Sequence, residues 1–192
     1  MENKKLEELA NSIKKYNGNV VTQIVFNKKL GKPFLMVFTS TTHRNIMVFD
    51  ANHGLNEVGI IRYSLHSNSA FVSEFEVKES AQGGGIGRLM FEFAAAHADA
   101  VGLTKLYGYA KPTNAIKGVS EFGKDCYSSE QETLIKIYEK LGCKFDDPQN
   151  QTNLDKKFTL DWSQSERYSK LPPDQIEMLK NVVSLEKQRG LK

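Results

Sequence analysis

The chain of 192 residues is expected to fold as a mixed α/β (α+β) domain, with a mostly antiparallel central sheet, one parallel strand pair and flanking helices. Three observations lead there. The first half is a series of short, β-branched apolar runs parted by turn residues, and short connections join antiparallel strands. Between residues 70 and 110 a strand, a long helix and a second strand follow one another. That order needs a crossover, which makes the two strands parallel neighbours. Helical spacing at both ends of the chain supplies helices to cover the sheet.

The elements follow in order. Leu6, Leu9, Ile13 and Tyr16 recur at helical spacing and Asn17-Gly18 stops the pattern, so residues 1–18 form an N-terminal helix. Strands are expected at Val20 to Phe26, Phe34 to Thr39, Asn45 to Phe49, Glu57 to Tyr63 and Ala70 to Val77, forming a meander. A helix from Gly87 to Ala100 carries Met90, Phe93, His97 and Val101 on one stripe, widened by Leu89 and Ala94, with Gly102 as its cap. His97 is read as a packed core histidine. A strand at Lys105 to Ala110 comes next, then a helix from Glu130 to Leu141 that aligns Leu134, Tyr138 and Leu141. Strands at Cys143 to Phe145 and Lys156 to Trp162 complete the sheet. Residues 115–129 are longer than the usual connection and are read as an insertion. After Pro172-Pro173, the residues Ile176, Leu179, Val183 and Leu185 mark a helix within a C-terminal extension, 163–192. It is expected to pack on the core, with a dimer contact as the alternative. A single domain over 1–192, monomeric or homodimeric, is the expected organisation.

Composition narrows the function classes. No apolar run approaches the roughly 20 residues that a membrane-spanning helix needs, and the polar N-terminus lacks the apolar core of a secretory signal. A cytoplasmic protein without membrane contact is expected. Cys126 and Cys143 fit neither a paired redox site nor a zinc site, and His43, His53 and His66 lack metal-ligand spacing. The net charge of +3 comes without a long basic block interleaved with aromatics, so it makes no case for nucleic acid.

Chemistry is concentrated in Gln82-Gly83-Gly84-Gly85-Ile86-Gly87-Arg88, a polar loop that enters a helix. Helix N-termini expose unpaired N–H groups and partial positive charge, and glycines let a ligand approach the backbone. Together these suit a phosphate. Arg88 opposes the helix dipole, a placement that a phosphate contact explains better than helix stability does. The sequence lacks the Gly-Lys-Ser/Thr ending of a P-loop. It also lacks the third glycine and the later acid of a dinucleotide fingerprint.

The run from Val77 through Met90 resembles the acetyl-CoA motif of the GNAT superfamily of N-acetyltransferases, Gln/Arg-x-x-Gly-x-Gly/Ala. The segment Ile137-Tyr138-Glu139-Lys140-Leu141-Gly142-Cys143-Lys144-Phe145 is similar to the family's Tyr-Glu-Lys-Leu-Gly-Phe region. Asn114 falls where the family often places a CoA-contacting Asn. The likeness covers about Asn45 to Phe145. It implies a GNAT-like sheet whose parallel strands, 70–77 and 105–110, splay to admit acyl-CoA. In that arrangement N–H groups from Gln82, Gly83, Gly84, Gly85, Ile86 and Gly87 would hold the pyrophosphate, and a backbone N–H near Val77 would polarise the thioester.

Departures from the family pattern are also plain. No proline follows Val77, Asn114 and Tyr138 are widely spaced, and the two helices expected after the first strand are not visible between Phe26 and Phe34. The N-terminal helix or the insertion is left to replace them.

The expected reaction is direct transfer of an acetyl group from acetyl-CoA to an amine, without a metal. Glu74 and Glu76 share one strand face, and either could serve as base, Glu76 being nearer the thioester end. Tyr138 is the expected general acid for the departing thiolate; its position beside Leu134 and Leu141 also fits a core tyrosine. Small-molecule amines, a peptide N-terminus, a lysine side chain and aminoacyl-tRNA are all compatible acceptors. The alternative function is a catalytically degenerate module of this fold that binds CoA or a protein partner.

Overall fold

Short apolar, β-branched runs parted by turn residues give five successive antiparallel strands in the first half, with β2 apolar on both faces. They are β1 (Val20–Asn27), β2 (Lys32–Ser40), β3 (Arg44–Asp50), β4 (Asn56–Leu65) and β5 (Ala70–Val77). A 3₁₀ turn (Glu79–Ala81) leads to α2 (Ile86–Ala100), which returns the chain to β6 (Lys105–Ala110). The remaining elements are α3 (Lys124–Lys140), β7 (Lys144–Phe145), β8 (Lys156–Asp161) and α4 (Pro173–Gln188), while α1 (Glu2–Tyr16) precedes the sheet. The computed structural model describes residues 2–51, 56–110, 124–146, 156–162 and 171–190, the side chains of 124–131 excepted. Asn114 and residues 115–123 of the expected insertion lie outside the described residues.

All eight strands form one sheet in the order β1-β2-β3-β4-β5-β6-β8-β7, antiparallel except between β5 and β6. The parallel pairing is short. It joins Ala70 to Leu106, Phe71 to Tyr107 and Val72 to Gly108, and then stops. Beyond Val72 the remainder of β5 has no strand beside it on that edge among the described residues, so the two strands part as a GNAT-like sheet requires.

Two apolar layers hold the sheet. On one face, Phe34, Phe38, Ile46, Ile61 and Tyr63 pack under α2 and α4, joined by Tyr138 from α3. On the other, Leu6 and Ala10 of α1 close over Leu35, Val37 and Ala51. Each fully buried large apolar side chain contributes roughly 1.5–3 kcal/mol relative to exposure. The alanine-rich centre of α2 (Ala94, Ala95, Ala96) lets the helix lie close to the strands, and all three are buried.

The helices depart from expectation in three places. Tyr16 is 82% exposed, so the apolar stripe of α1 ends at Ile13. Helix α3 begins at Lys124 rather than Glu130. Its apolar period starts only at Leu134, which left the earlier turns without a pattern to read. In α4 the fully buried face is Gln175, Met178, Leu179, Val182 and Glu186, rotated from the Ile176–Leu185 stripe because it contains two polar residues.

Gly108 marks the point where the sheet opens. A Cβ there would stand 2.7 Å from the Phe158 ring and 2.9 Å from the Val72 carbonyl oxygen. Backbone on one side and a buried ring on the other leave no easy relaxation. The Gly108→Ala protein should therefore lose roughly 1–3 kcal/mol by overpacking. A shift of the urea midpoint at unchanged slope checks this; an unshifted midpoint would show that β5 and β6 are not in such contact.

Candidate functional site: a cleft at the parted strands

A cleft of about 1030 Å³ opens where β5 leaves β6, and its walls include Phe75, Glu76, Val77, the loop residues Gln82, Gly83 and Gly85 to Arg88, and Leu134, Ile137 and Tyr138 of α3. Most residues singled out from sequence converge here. Glu74, Gly84 and Asn114 do not line it: Glu74 stands two register positions back from Glu76, Gly84 is buried behind the loop, and Asn114 is outside the described residues.

The loop is shaped for an anion by what it lacks. Gly85 caps α2 with φ of 84°, a left-handed backbone that suits glycine, and no side chain caps the helix. No acid occupies the first turn. Gln82 N–H bonds the Glu79 carbonyl at 3.2 Å, while the N–H groups from Gly83 to Arg88 have no acceptor among the described residues. The open donors thus start one residue later than the sequence suggested. The exposed Gln82 side chain folds back on the strand end, where its Nε2 donates to the Val77 carbonyl at 3.0 Å and pins the loop there. Arg88 pairs with Glu92 at 2.7 Å in an exposed contact that stabilises little.

Val77 itself points the right way. Lys78 N–H bonds the Val58 carbonyl at 3.0 Å, toward β4. Backbone groups of successive strand residues face opposite edges, so the Val77 N–H faces the gap. The side chains of Phe75 and Val77 lie under α2, where a Cβ on Gly87 would come within 3.3 Å of both.

Tyr138 is buried at 6% exposure and yet lines the cleft. Its ring stacks on Phe158 at 4.2 Å and meets Phe75, Phe91 and Phe145 edge-on. The hydroxyl has no hydrogen-bond partner among the described residues. Burial first, and then the nearby Cys143, push the phenol well above its ordinary value. Phenol and thiol acidities therefore lie further apart than the near match expected from sequence. The group is firmly protonated.

The opposite face of β5 carries the acids. Arg62 pairs with Glu74 at 2.6 Å, while Glu76 is exposed and has no ion-pair partner among the described residues. A third carboxylate, Glu57 on β4, was not singled out from sequence. Burial raises its pKa; Lys78 opposes the rise, and Glu74 and Glu76 add to it. Alternation along one strand could reveal Glu74 and Glu76, whereas Glu57 joins them only through the β4–β5 pairing. The hairpin turn at Lys29 also reaches the cleft, another long-range contact that sequence reasoning missed.

This architecture, an antiparallel sheet interrupted by one parted parallel pair with a glycine loop at its mouth, is the GNAT-type fold. Among solved structures, the chain is similar to a cAMP-binding acyltransferase from Mycobacterium smegmatis, at 13% identity and a TM-score of 0.60 over 95% of this chain and 59% of that one. It is also similar to the PaiA N-acetyltransferase from Thermoplasma acidophilum in complex with coenzyme A, at 15% identity and a TM-score of 0.45 over 63% and 62% of the two chains. The chain thus spans about three fifths of the length of each of these two structures. No protein-family model matches the sequence, and no curated protein does. Among the described residues no helix is long and apolar enough to cross a membrane.

Proposed function

We propose that the protein transfers an acetyl group from acetyl-CoA to an amine by direct attack. One observation carries this reading: the unpaired N–H groups from Gly83 to Arg88 and the unpaired edge of β5 open into the same cleft. The first suits a pyrophosphate; the second offers a strand edge along which an amide-bearing pantetheine arm can lie. The fold shared with an acyltransferase agrees with it.

In the proposed reaction the Val77 N–H donates to the thioester carbonyl oxygen and stabilises the charge that develops there. The neutral amine approaches from the Glu74/Glu76 face and forms the C–N bond. Glu76, directly or through water, takes the amine proton. As the C–S bond breaks, the Tyr138 hydroxyl donates to the thiolate. The acceptor is a small-molecule or peptide amine.

Calorimetry on ligand-free protein should show CoA and acetyl-CoA binding with dissociation constants of about 1–100 μM, the range of many enzyme–substrate pairs. NAD and ATP should compete poorly, since they lack pantetheine. No heat with either CoA species would sink the proposal.

A further inference from the structure

The turn between β1 and β2 is built onto the glycine loop. Asn27 is buried and uses its side-chain amide in both directions. Its Oδ1 accepts from the N–H groups of Lys29 and Leu30 at 2.9 and 3.1 Å, which closes the turn. Its Nδ2 donates to the Gly84 carbonyl at 3.0 Å. Leu30 presses on the same glycine, where an added Cβ would collide with its Cδ1. Turn and loop are thus one unit, although Asn27 and Gly84 lie 57 residues apart.

That unit holds Lys29 in the cleft wall beside Gly83, Gly85 and Gly87. Lys29 has no ion-pair partner among the described residues, and the adjacent Lys28 does not line the cleft. Lysine is a flexible point charge that reaches phosphates well. The carbonyl that Asn27 engages shares its peptide plane with the Gly85 N–H, so the same contact orients one of the open donors.

We propose that Lys29 binds a phosphate of the acyl donor and that Asn27 is the residue that positions it, making the β1–β2 turn part of the donor site. This rests on the acyl-CoA reading above. The phosphate is either the pyrophosphate or the 3′-phosphate of CoA.

The test is calorimetry of the full chain with CoA and with dephospho-CoA, which lacks only the 3′-phosphate. Lys29→Gln should weaken CoA binding about tenfold, the loss of one charge-assisted hydrogen bond. Lys28→Gln, with the same change in net charge, should stay within about twofold, since it removes only a general field effect. Asn27→Asp keeps the acceptor that closes the turn and removes the donor to Gly84. In that background Lys29→Gln should cost distinctly less than in the wild type, a coupling that mere loss of stability does not produce. A Lys29 effect that persists with dephospho-CoA assigns the contact to the pyrophosphate; one that vanishes assigns it to the 3′-phosphate. If wild-type protein binds CoA and Lys29→Gln matches Lys28→Gln, the role of Lys29 is wrong while the donor reading stands. If wild-type protein does not bind CoA, the donor reading itself fails.

Discussion

The Tyr138→Phe protein should bind CoA as the wild type does and turn over about 10²-fold more slowly, the lower range for loss of a general acid. The ring contacts explain the first half of that expectation. Phenylalanine keeps the 4.2 Å stack on Phe158 and the edge contacts to Phe75 and Phe91, so the cleft wall is unchanged. The hydroxyl explains the second, being the one polar atom of that side chain and unpartnered among the described residues. Stability should hold or rise slightly, because a buried hydroxyl without a partner costs free energy. A core tyrosine without a catalytic role would show the same binding and stability but an unchanged kcat. Two further measurements sharpen the test. With a thioester whose thiol leaves more readily, the penalty of Tyr138→Phe should shrink. The phenol, held above its ordinary value of 10.0 by burial, should impose no alkaline limb on the rate below about pH 10. A non-catalytic CoA-binding module would bind equally well and transfer no acetyl group.

The sequence revealed what depends on local order. Glycines before a helix, alternation in β5 and strand–helix–strand succession are short-range patterns, and they located the loop, Glu76, Val77 and the parallel pair without a structure. What depended on contact across the sheet was hidden. Asn27 lies in an otherwise ordinary strand end, and its bond to Gly84 leaves no periodic trace. The missing helices between the first two strands were visible only as an absence; the structure fills their place with a turn that packs on the glycine loop. Glu57 needed the β4–β5 register to be placed beside Glu74 and Glu76. Reading α4 by apolar spacing chose a stripe that passes over Glu186, because a buried carboxylate looks like a solvent-facing one until its partners are known. His97 was read correctly as buried, but its position on an apolar stripe gave no sign that both ring nitrogens are bonded.

Glu186 is where the largest loss of stability is expected. Its carboxylate is 2% exposed and accepts from Ser40 Oγ at 2.7 Å, Arg44 Nε at 2.9 Å and His97 Nε2 at 2.9 Å. His97 Nδ1 in turn meets the Tyr63 hydroxyl at 2.8 Å, and Arg189 donates to the Ser40 carbonyl. One side chain therefore ties α4 to β2, β3 and α2. Burial alone would raise the pKa of Glu186; the His97 hydrogen bond and charge, the Ser40 hydroxyl and Arg44 outweigh it and bring it down from 4.5 to about 2. Replacing Glu186 by alanine strands the buried Arg44 guanidinium, at a cost of about 3–5 kcal/mol. The sign with pH follows from the depressed value. Ionised Glu186 favours the folded state fully above about pH 4.5, by roughly 3 kcal/mol from its shift, and this contribution fades as pH falls toward 2. The gap in unfolding free energy between wild type and Glu186→Ala should consequently be largest near neutrality and narrow by pH 2.5. A gap that stays constant over that range would mean the carboxylate is not ionised in the fold. His97 lies in the C-terminal half of α2, whereas the open N–H groups lie at its N-terminus. In the fraction of Glu186→Ala that remains folded, CoA affinity should be close to wild type, separating the network that holds the helix from the glycine loop at its other end.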